Sequence, residues 1–249
     1  MTRKRSAKST PKTQVKLKPK PIRNDIVFYN DFKPRTKNQS NYIRAMAESD
    51  VIICLGVAGT GKTSCAIAYG LQLLARNEIE RIVIARPIVE ATANSNKGKL
   101  GSLPGDVNEK IAPYLRPILE ESKKYIGKMM TDRLVHEKRI ELCPVELMRG
   151  RTFENALVIL DEMQNCTYEQ LLMVFTRIGV YSKLVMVGDI QQSDLPERDR
   201  PNFYRILSSL EKVSGLTICE LDGTDIQRHP VIKDIINSLQ EEFHGKEKG

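Results

Sequence analysis

The chain has 249 residues, of which 41% are hydrophobic, so it contains enough apolar side chains for one sizeable core. Its longest apolar runs are far shorter than the roughly 18 residues that cross a bilayer. No apolar segment follows the basic N-terminus, which argues against a secretory signal. We therefore expect a soluble protein with one folded domain and no association with a membrane.

Positive charge is concentrated at the start of the chain. Residues 1–37 contain twelve Lys or Arg and two Asp, a net charge of +10, whereas the whole chain carries +8. Four prolines lie among these charges and oppose a long helix. We predict a flexible basic arm over residues 1–37, a folded domain over residues 38–245 and a disordered tail over residues 246–249. The charge of the arm favours binding to nucleic acid, although a solubilising tail has the same composition.

After the arm, apolar runs alternate with amphipathic helical patterns. This order is typical of an α/β protein with a mainly parallel sheet and helices on both faces. Thr167 and Gln170 predict a capping box at the start of one helix, Pro201 is predicted to open another, and a last helix begins near Pro230. The predicted strands are residues 51–55, 81–85, 139–143, 156–160, 183–187 and 216–221.

The region between the second and third predicted strands is the least regular. Residues 92–105 are polar and contain glycine, so they are predicted to form a loop. Residues 108–126 have the apolar spacing of a helix but include Pro113 and Pro117. We therefore predict a helix that is broken or kinked at these prolines.

The sequence GVAGTGKT at residues 56–63 matches the pattern G-x-x-x-x-G-K-[ST] between a predicted strand and a predicted helix. Its glycines let the backbone curl, so that successive N–H groups and a helix N-terminus face one anion. Lys62 is predicted to bridge the β- and γ-phosphates of a nucleotide, and Thr63 to bind Mg²⁺ through its hydroxyl. The predicted nucleotide-binding residues of this loop are Gly56, Val57, Ala58, Gly59, Thr60, Gly61, Lys62, Thr63 and Ser64.

Two further strands end in polar residues. ALVIL is followed by Asp161 and Glu162, a pair that suits one Mg²⁺ ligand, Asp161, and one base, Glu162, that polarises a water for attack on the γ-phosphate. LVMV is followed by Gly188-Asp189-Ile190-Gln191-Gln192, where the Gln192 amide is predicted to sense the γ-phosphate. The two strands therefore predict the catalytic part of a nucleotide hydrolase.

Other site residues are predicted from their positions. Gln39 and Tyr42 precede the first strand, where an amide can read adenine and an aromatic ring can stack on it. Arg177 and Arg228 are candidates for an arginine that stabilises the transition state, although either residue could equally form a surface ion pair. Because ligands bind at strand ends in open α/β sheets, a path for nucleic acid is predicted at Arg86, Lys97, Lys99, Arg149 and Arg151.

Several blocks of the sequence resemble the PhoH family, P-loop proteins of bacteria and phages that are related to the core of superfamily 1 helicases. The P-loop is a generic motif, whereas LPGD with EKIAPYLRP, MRGRT, and DEMQN followed by TRIG are specific for this family. The blocks extend from residue 36 to residue 243 and include RTKNQSNY, RIVIARPIVEA, LGSLPGDVNEKIAPYLRPI, MRGRTFENALVILDEMQN, TRIGVYSKLVMVGDIQQSDLP and RHPVI.

The resemblance implies a RecA-like P-loop ATPase that hydrolyses ATP with Mg²⁺. By the same resemblance, Gln39 corresponds to the adenine-reading glutamine, Arg86 to motif Ia and Gln192 to motif III. It further implies binding to single-stranded RNA or DNA, with RNA preferred, and a homo-oligomer for which a hexameric ring with an arginine acting in trans is one arrangement. The implied location is the cytoplasm of a bacterium or of a phage-infected host.

Alternatives to a nucleic-acid-coupled ATPase stay open. A nucleic-acid-binding scaffold can use ATP as a structural switch, and a small-molecule kinase can share the P-loop. The acidic pair and the Gly-Asp-x-x-Gln turn suit activation of water better than either of these. Helicase activity stays open, and RNA cleavage is not expected because no nuclease segment accompanies the domain.

Overall fold

The computed structural model describes residues 25–88, 107–226 and 231, and for residues 107–116 the backbone alone. Several predicted features lie outside these residues. They are most of the basic arm, the polar loop, most of the last helix, the tail, and the site residues Lys97, Lys99 and Arg228.

The described residues form five α-helices and six strands. None of these helices is both long enough and apolar enough to cross a membrane. The helices are α1 Lys37–Glu48, α2 Lys62–Ala75, α3 Val107–His136, α4 Tyr168–Phe175 and α5 Phe203–Leu210. The strands are β1 Val51–Gly56, β2 Arg81–Ala85, β3 Ile140–Leu142, β4 Ala156–Leu160, β5 Lys183–Gly188 and β6 Leu216–Leu221.

The six strands form one sheet in the order β3-β2-β4-β5-β1-β6, and every neighbouring pair is parallel. All six predicted strands are therefore confirmed, with small changes in length. β1 and β5 extend by one residue, to Gly56 and Gly188, and β3 is two residues shorter than predicted. In a parallel sheet all carboxyl ends lie at one edge, so the segments that follow the strands meet there.

The core lies on both faces of the sheet, because alternate side chains of each strand point in opposite directions. Ile52 and Cys54 of β1 pack in one cluster with residues of α1, α2 and α3. Ile53 and Leu55 pack in the second cluster with residues of α4 and α5. The prediction of helices on both faces is confirmed.

Local sequence signals define two helix starts. The capping box predicted at Thr167 and Gln170 is present at the start of α4. The helix predicted to open at Pro201 begins instead at Phe203, because the side chain of Asn202 accepts a hydrogen bond from the Arg205 N–H and caps α5.

The break in α3 lies at Gly127 and not at Pro113 or Pro117 as predicted. Gly127 has φ 74° and ψ 167° and is the one non-helical position in the element. A Cβ at this position would lie 2.8 Å from the ring of Tyr29. Glycine therefore permits both the left-handed backbone and the close approach of the N-terminal segment.

Residues 25–36, which the sequence assigned to the flexible arm, pack against the domain. The Tyr29 N–H donates to the Tyr125 carbonyl at 2.8 Å, and Ile26 is buried in the core. Asp25 pairs with Arg133 at 2.8 Å and with Arg139 at 3.3 Å. The packed part of the chain consequently begins earlier than residue 38. We call residues 25–36 the N-terminal segment.

We predict that Gly127→Ala loosens the packing of Tyr29, and with it this part of the N-terminal segment, against α3. The new Cβ would meet the Tyr29 ring, so we expect this variant to be about 1 kcal/mol less stable than Gly150→Ala. Gly150 is the matched control because it also has a positive φ, 79°, but has open space at its Cβ position. Urea unfolding would measure the difference, and amide exchange of Tyr29 should be faster in Gly127→Ala alone. Equal stabilities and equal exchange rates would contradict the prediction.

Candidate active site

The loop at residues 56–63 curls tightly between β1 and α2. Gly56 has φ 153°, and a Cβ there would lie 2.1 Å from the Leu221 carbonyl oxygen, so no other residue fits. The Thr60 hydroxyl donates to the Val57 carbonyl at 2.9 Å and closes the loop. α2 begins immediately afterwards with Gly61 as its N-cap. The N-terminus of a 14-residue helix therefore faces the loop, as in an anion-binding site.

The Lys62 ammonium group lies in the loop that precedes it. Its Nζ donates to the carbonyls of Gly56 at 2.6 Å and Val57 at 2.9 Å. Burial lowers the pKa of Lys62 from its ordinary value, and anionic neighbours that include Asp189 and Glu162 oppose this shift. The cation is thus held beside the cradle of backbone N–H groups, where phosphate oxygens would bind.

Thr63 and Asp161 lie in direct contact. The Thr63 hydroxyl donates to Asp161 Oδ1 at 2.8 Å, although the two residues are 98 positions apart in the chain. Asp161 follows β4 and is 3% exposed. Two oxygen donors on neighbouring positions fit the ligand preference of Mg²⁺, which binds oxygen and retains several waters.

Glu162 has a strained backbone and a fixed side chain. Its φ of 56° and ψ of 44° are left-handed, which is unusual for a residue other than glycine. Its side chain is 43% exposed, and its Oε2 accepts a hydrogen bond from Gln164 Nε2 at 2.5 Å. This position combines access to solvent with a defined orientation, as a base acting on water requires.

Gln164 connects the segments that follow β4 and β5. Its Oε1 accepts from the Asp189 N–H at 3.1 Å while its Nε2 donates to Glu162. Asn165 strengthens the connection, because its side chain bonds both the carboxylate and the N–H of Asp194. Gln192 lies in the same turn and is exposed, with its N–H donating to the Asp189 carbonyl. Its role as a γ-phosphate sensor stays a prediction.

The structure places Gln39 beside the P-loop, where its role as a reader of adenine stays a prediction, and it buries Tyr42. Gln39 is 3% exposed, and its amide bridges two backbone groups, the Arg35 N–H at 2.8 Å and the Thr60 carbonyl at 2.9 Å. It therefore fixes the N-terminal segment against the P-loop. Tyr42 has no exposed surface and lies in the core. The prediction that it stacks on adenine is wrong, because neither face of its ring is accessible.

A cavity of about 860 Å³ opens beside the P-loop. The N-terminal segment forms one wall and α3 forms another, where Phe32 and Tyr125 meet edge to face at 6.0 Å. The hydroxyls of Ser64 and Tyr125 are 2.7 Å apart, which ties the first turn of α2 to α3. The residues that line the cavity include Asp31, Phe32, Lys33, Arg35, Gly59, Gly61, Ser64, Glu121, Lys124 and Tyr125.

The predicted nucleic-acid-binding arginines have different environments. Arg86 contacts the acidic pair, with Nη2 2.5 Å from Asp161 Oδ2. Arg151 pairs with Glu141 at 2.5 Å and lies over the Phe153 ring at 4.8 Å. These two predictions are not supported, because both guanidinium groups are engaged within the protein. Arg149 is exposed, and its predicted role stays a prediction.

Arg177 lies at the opposite edge of the sheet from the P-loop. Its carbonyl accepts from the Phe153 N–H, and its Nη1 donates to the Arg151 carbonyl at 3.2 Å. Phe153 precedes β4, whereas Asp161 follows it, and the five residues of that strand span about 16 Å. Arg177 therefore lies too far from the phosphate site of its own chain to contact a nucleotide bound there.

Comparisons with known proteins agree with this arrangement. A family model described as "PhoH-like protein" matches residues 31–240. The chain belongs to the PhoH-like protein family. Together with the P-loop geometry, this membership assigns it to the P-loop NTPases and confirms the resemblance seen in the sequence.

Curated PhoH-like relatives are similar over most of this chain. The PhoH-like protein of Synechocystis sp. is 40% identical over 208 residues, which cover 84% of this chain and 62% of the relative. The PhoH-like protein of Bacillus subtilis is 39% identical over 208 residues, which cover 84% of this chain and 64% of the relative. Protein PhoH of Escherichia coli is 38% identical over 164 residues, covering 65% and 45%. The chain thus spans less than two thirds of the length of these relatives.

Solved structures show a more distant likeness to this PhoH-like fold. The large terminase of a thermophilic bacteriophage matches with a TM-score of 0.47 and 14% identity, over 82% of this chain and 50% of its own. The Pif1 helicase of Candida albicans matches with a TM-score of 0.39 and 14% identity, over 77% of this chain and 40% of its own. The strand order of this chain, rather than these likenesses, defines its fold.

Sequence reasoning missed three parts of this PhoH-like site. Gln164 lies within the DEMQN block, but nothing in the spacing indicates that its side chain faces back to Glu162. The N-terminal segment was missed because the high positive charge of the arm favours a flexible chain. Its apolar residues Ile26, Phe28 and Phe32 are nevertheless a signal for packing. Tyr125 lies in the predicted helix over residues 108–126 without any motif around it, and only its contact with Ser64 marks it.

We predict that Gln164→Leu destabilises the protein by about 1–3 kcal/mol, because it leaves the buried Asp189 N–H without an acceptor. Gln191→Leu is the matched control, since Gln191 is exposed in the same turn, and it should change stability by less than about 0.5 kcal/mol. Urea unfolding of both variants would measure the difference. Similar midpoints for the two variants would show that the Gln164 bridge does not stabilise the site.

Proposed function

We propose that this protein is a Mg²⁺-dependent ATPase that acts on, or is stimulated by, single-stranded nucleic acid, with RNA preferred to DNA. The observation that carries the proposal is the contact between Thr63 and Asp161, with Glu162 next in the chain. These residues give a P-loop the two further groups that hydrolysis requires, a metal-binding carboxylate and a base.

The donor set fits magnesium. Thr63 Oγ1 and the Asp161 carboxylate would hold the ion, which when bound neutralises charge on the phosphate oxygens. Lys62 would bind the β- and γ-phosphates together with the N–H groups of the loop. Both kinds of contact favour the additional negative charge that develops on the phosphate oxygens during transfer.

Glu162 would accept a proton from the attacking water. The water oxygen would form a bond to the γ-phosphorus, and the bond from phosphorus to the β-phosphate oxygen would break to release ADP. The hydrogen bond from Gln164 holds the carboxylate in place for this step. Gln192 is the proposed sensor of the γ-phosphate from the adjacent turn.

The nucleoside of ATP would bind in the cavity beside the P-loop. A volume of about 860 Å³ is within the range of small-ligand sites, and the cavity adjoins Gly59 and Gly61, where the phosphates would lie. Phe32 offers an aromatic surface to the base. The carboxylates of Asp31 and Glu121 are acceptors for the ribose hydroxyls, by the same chemistry that acidic residues supply in dinucleotide sites.

Nucleic acid is the proposed macromolecular partner. The net charge of +10 over residues 1–37 favours contacts with phosphates, and Arg149 adds an exposed cation on the folded domain. A homo-oligomer, in the form of a ring, would place an arginine of one subunit near the nucleotide of the next. Arg177 and Arg228 are the proposed candidates, and the position of Arg177 favours a role in trans over one in cis.

A scaffold that binds ATP as a structural switch is the second candidate. The fixed, partly exposed carboxylate of Glu162 favours hydrolysis over this alternative, because a switch that never hydrolyses ATP has no use for a base beside the metal ligands. Turnover of ATP by the wild-type protein therefore distinguishes an ATPase from a scaffold.

We expect the wild-type protein to hydrolyse ATP and single-stranded RNA to stimulate it more than single-stranded DNA. Glu162→Gln should lower kcat by about 10²–10⁴-fold while ATP binding is retained, because only the base is lost. Lys62→Ala should lose ATP binding as well as ATP hydrolysis. Steady-state phosphate release at low and moderate salt would measure this, with Glu169→Gln as a control on the exposed surface of α4.

Each outcome of this assay has a clear meaning. Hydrolysis without stimulation would retain the ATPase and remove nucleic acid as its effector. Binding of ATP without turnover by the wild type would favour the scaffold. Full turnover by Glu162→Gln would show that another group is the base.

We expect Phe32→Ala to weaken ATP binding by about tenfold, because base–aromatic stacking contributes about 1–3 kcal/mol. Its affinity for tripolyphosphate should be unchanged, since that ligand has phosphates but no base. Tyr204→Ala is the control, as Tyr204 is 73% exposed on α5. Calorimetric titrations with both ligands would measure the effect. Equal losses of affinity for ATP and for tripolyphosphate would show that the adenine base binds elsewhere.

A further inference from the structure

Arg86 is placed beside the acidic pair by strand pairing. β2 and β4 are neighbours, with Ala85 opposite Leu160, and the Asp161 N–H donates to the Ala85 carbonyl at 2.8 Å. The next residue of each strand is therefore Arg86 on one side and Asp161 on the other. Their proximity is a consequence of the sheet register and does not depend on a flexible loop.

The guanidinium group of Arg86 spans both carboxylates. Nη2 lies 2.5 Å from Asp161 Oδ2 and 3.6 Å from Glu162 Oε1. The other oxygen of Asp161 accepts from Thr63. The Arg86 side chain is 23% exposed and that of Asp161 is 5% exposed, so the interaction is shielded from solvent. Charge-assisted hydrogen bonds in such a setting are among the stronger ones in proteins.

The backbone around Arg86 is fixed on two sides. The Val145 N–H donates to the Arg86 carbonyl at 3.2 Å, and the Ile88 N–H donates to Glu146 Oε1 at 3.2 Å. Movement of Arg86 away from the acids would therefore occur in its side chain. Such a movement requires only rotations of single bonds.

We propose that Arg86 is a positioning residue that orients the acidic pair and competes with a divalent cation for Asp161 Oδ2, so that it sets the metal affinity of the site. This inference rests on the metal site of the proposed function. It replaces the predicted contact of Arg86 with nucleic acid, because a guanidinium paired with two carboxylates has little remaining attraction for phosphates.

The competition follows from charge. One carboxylate oxygen cannot bind a guanidinium and a divalent cation with full strength at the same time, and a positive charge within about 4–5 Å repels the ion. Removing Arg86 should therefore strengthen metal binding. It should also weaken the protein in the absence of metal, because two carboxylates are left without their counter-ion.

Arg86→Gln tests the proposal in the full chain without nucleotide. Thermal unfolding is followed during titration with MnCl₂ and MgCl₂. Without metal the variant should unfold at a lower temperature than the wild type, and metal should reduce this difference. The cation concentration at half-effect should fall by about tenfold relative to the wild type. Arg86→Lys should have a half-effect concentration near that of the wild type, because the charge is retained.

Two further variants complete the experiment. Arg81→Gln removes the same charge at the start of the same strand, where Arg81 lies 3.8 Å from Glu141, and it should not change the metal titration. Arg86→Gln combined with Asp161→Asn should lose the effect of metal, which locates the ion at Asp161. An unchanged half-effect concentration in Arg86→Gln, or an equal change in Arg81→Gln, would overturn the proposal. Because no nucleotide is present, this result does not depend on whether the protein hydrolyses ATP.

Discussion

The parallel register of the central strands is the constraint on which the site depends. β4 lies between β2 and β5, and β1 lies beyond β5, with all carboxyl ends at one edge. The P-loop, Arg86, the acidic pair and Asp189 each follow one of these strands. A shift of one residue between β2 and β4 would turn Asp161 to the other face of the sheet. The register thus determines which charged groups meet.

Electrostatic compensation holds these groups together. Asp161 is almost fully buried, which would be costly for an isolated carboxylate, but Thr63 and Arg86 satisfy its two oxygens. Glu162 remains partly exposed and is oriented by Gln164. The two neighbouring acids therefore have different environments, which suits different roles, a metal ligand and a base. The left-handed backbone at Glu162 permits this divergence over one peptide unit.

The N-terminal segment joins the basic end of the chain to the nucleotide site. Asp25 anchors it to α3, the Tyr29 N–H bonds to Tyr125, and Gln39 links Arg35 to the P-loop. Under the proposed function, a polyanion bound by the preceding basic residues would be connected through this segment to the wall of the cavity. Any coupling of this kind is reciprocal, so nucleotide binding would equally affect the arm.

The strands, the P-loop and the acidic pair were readable from the sequence alone, because they depend on apolar periodicity and on spacing between residues close in the chain. The family was indicated separately, by the resemblance of whole sequence blocks to PhoH proteins. Tertiary structure decided which distant side chains meet. It placed Arg86 on the acids, buried Tyr42, set Arg177 at the far edge and packed residues 25–36 against α3 at Gly127. Charge alone cannot distinguish an arginine that binds nucleic acid from one that pairs with a carboxylate, since the partner is chosen by strand order and register.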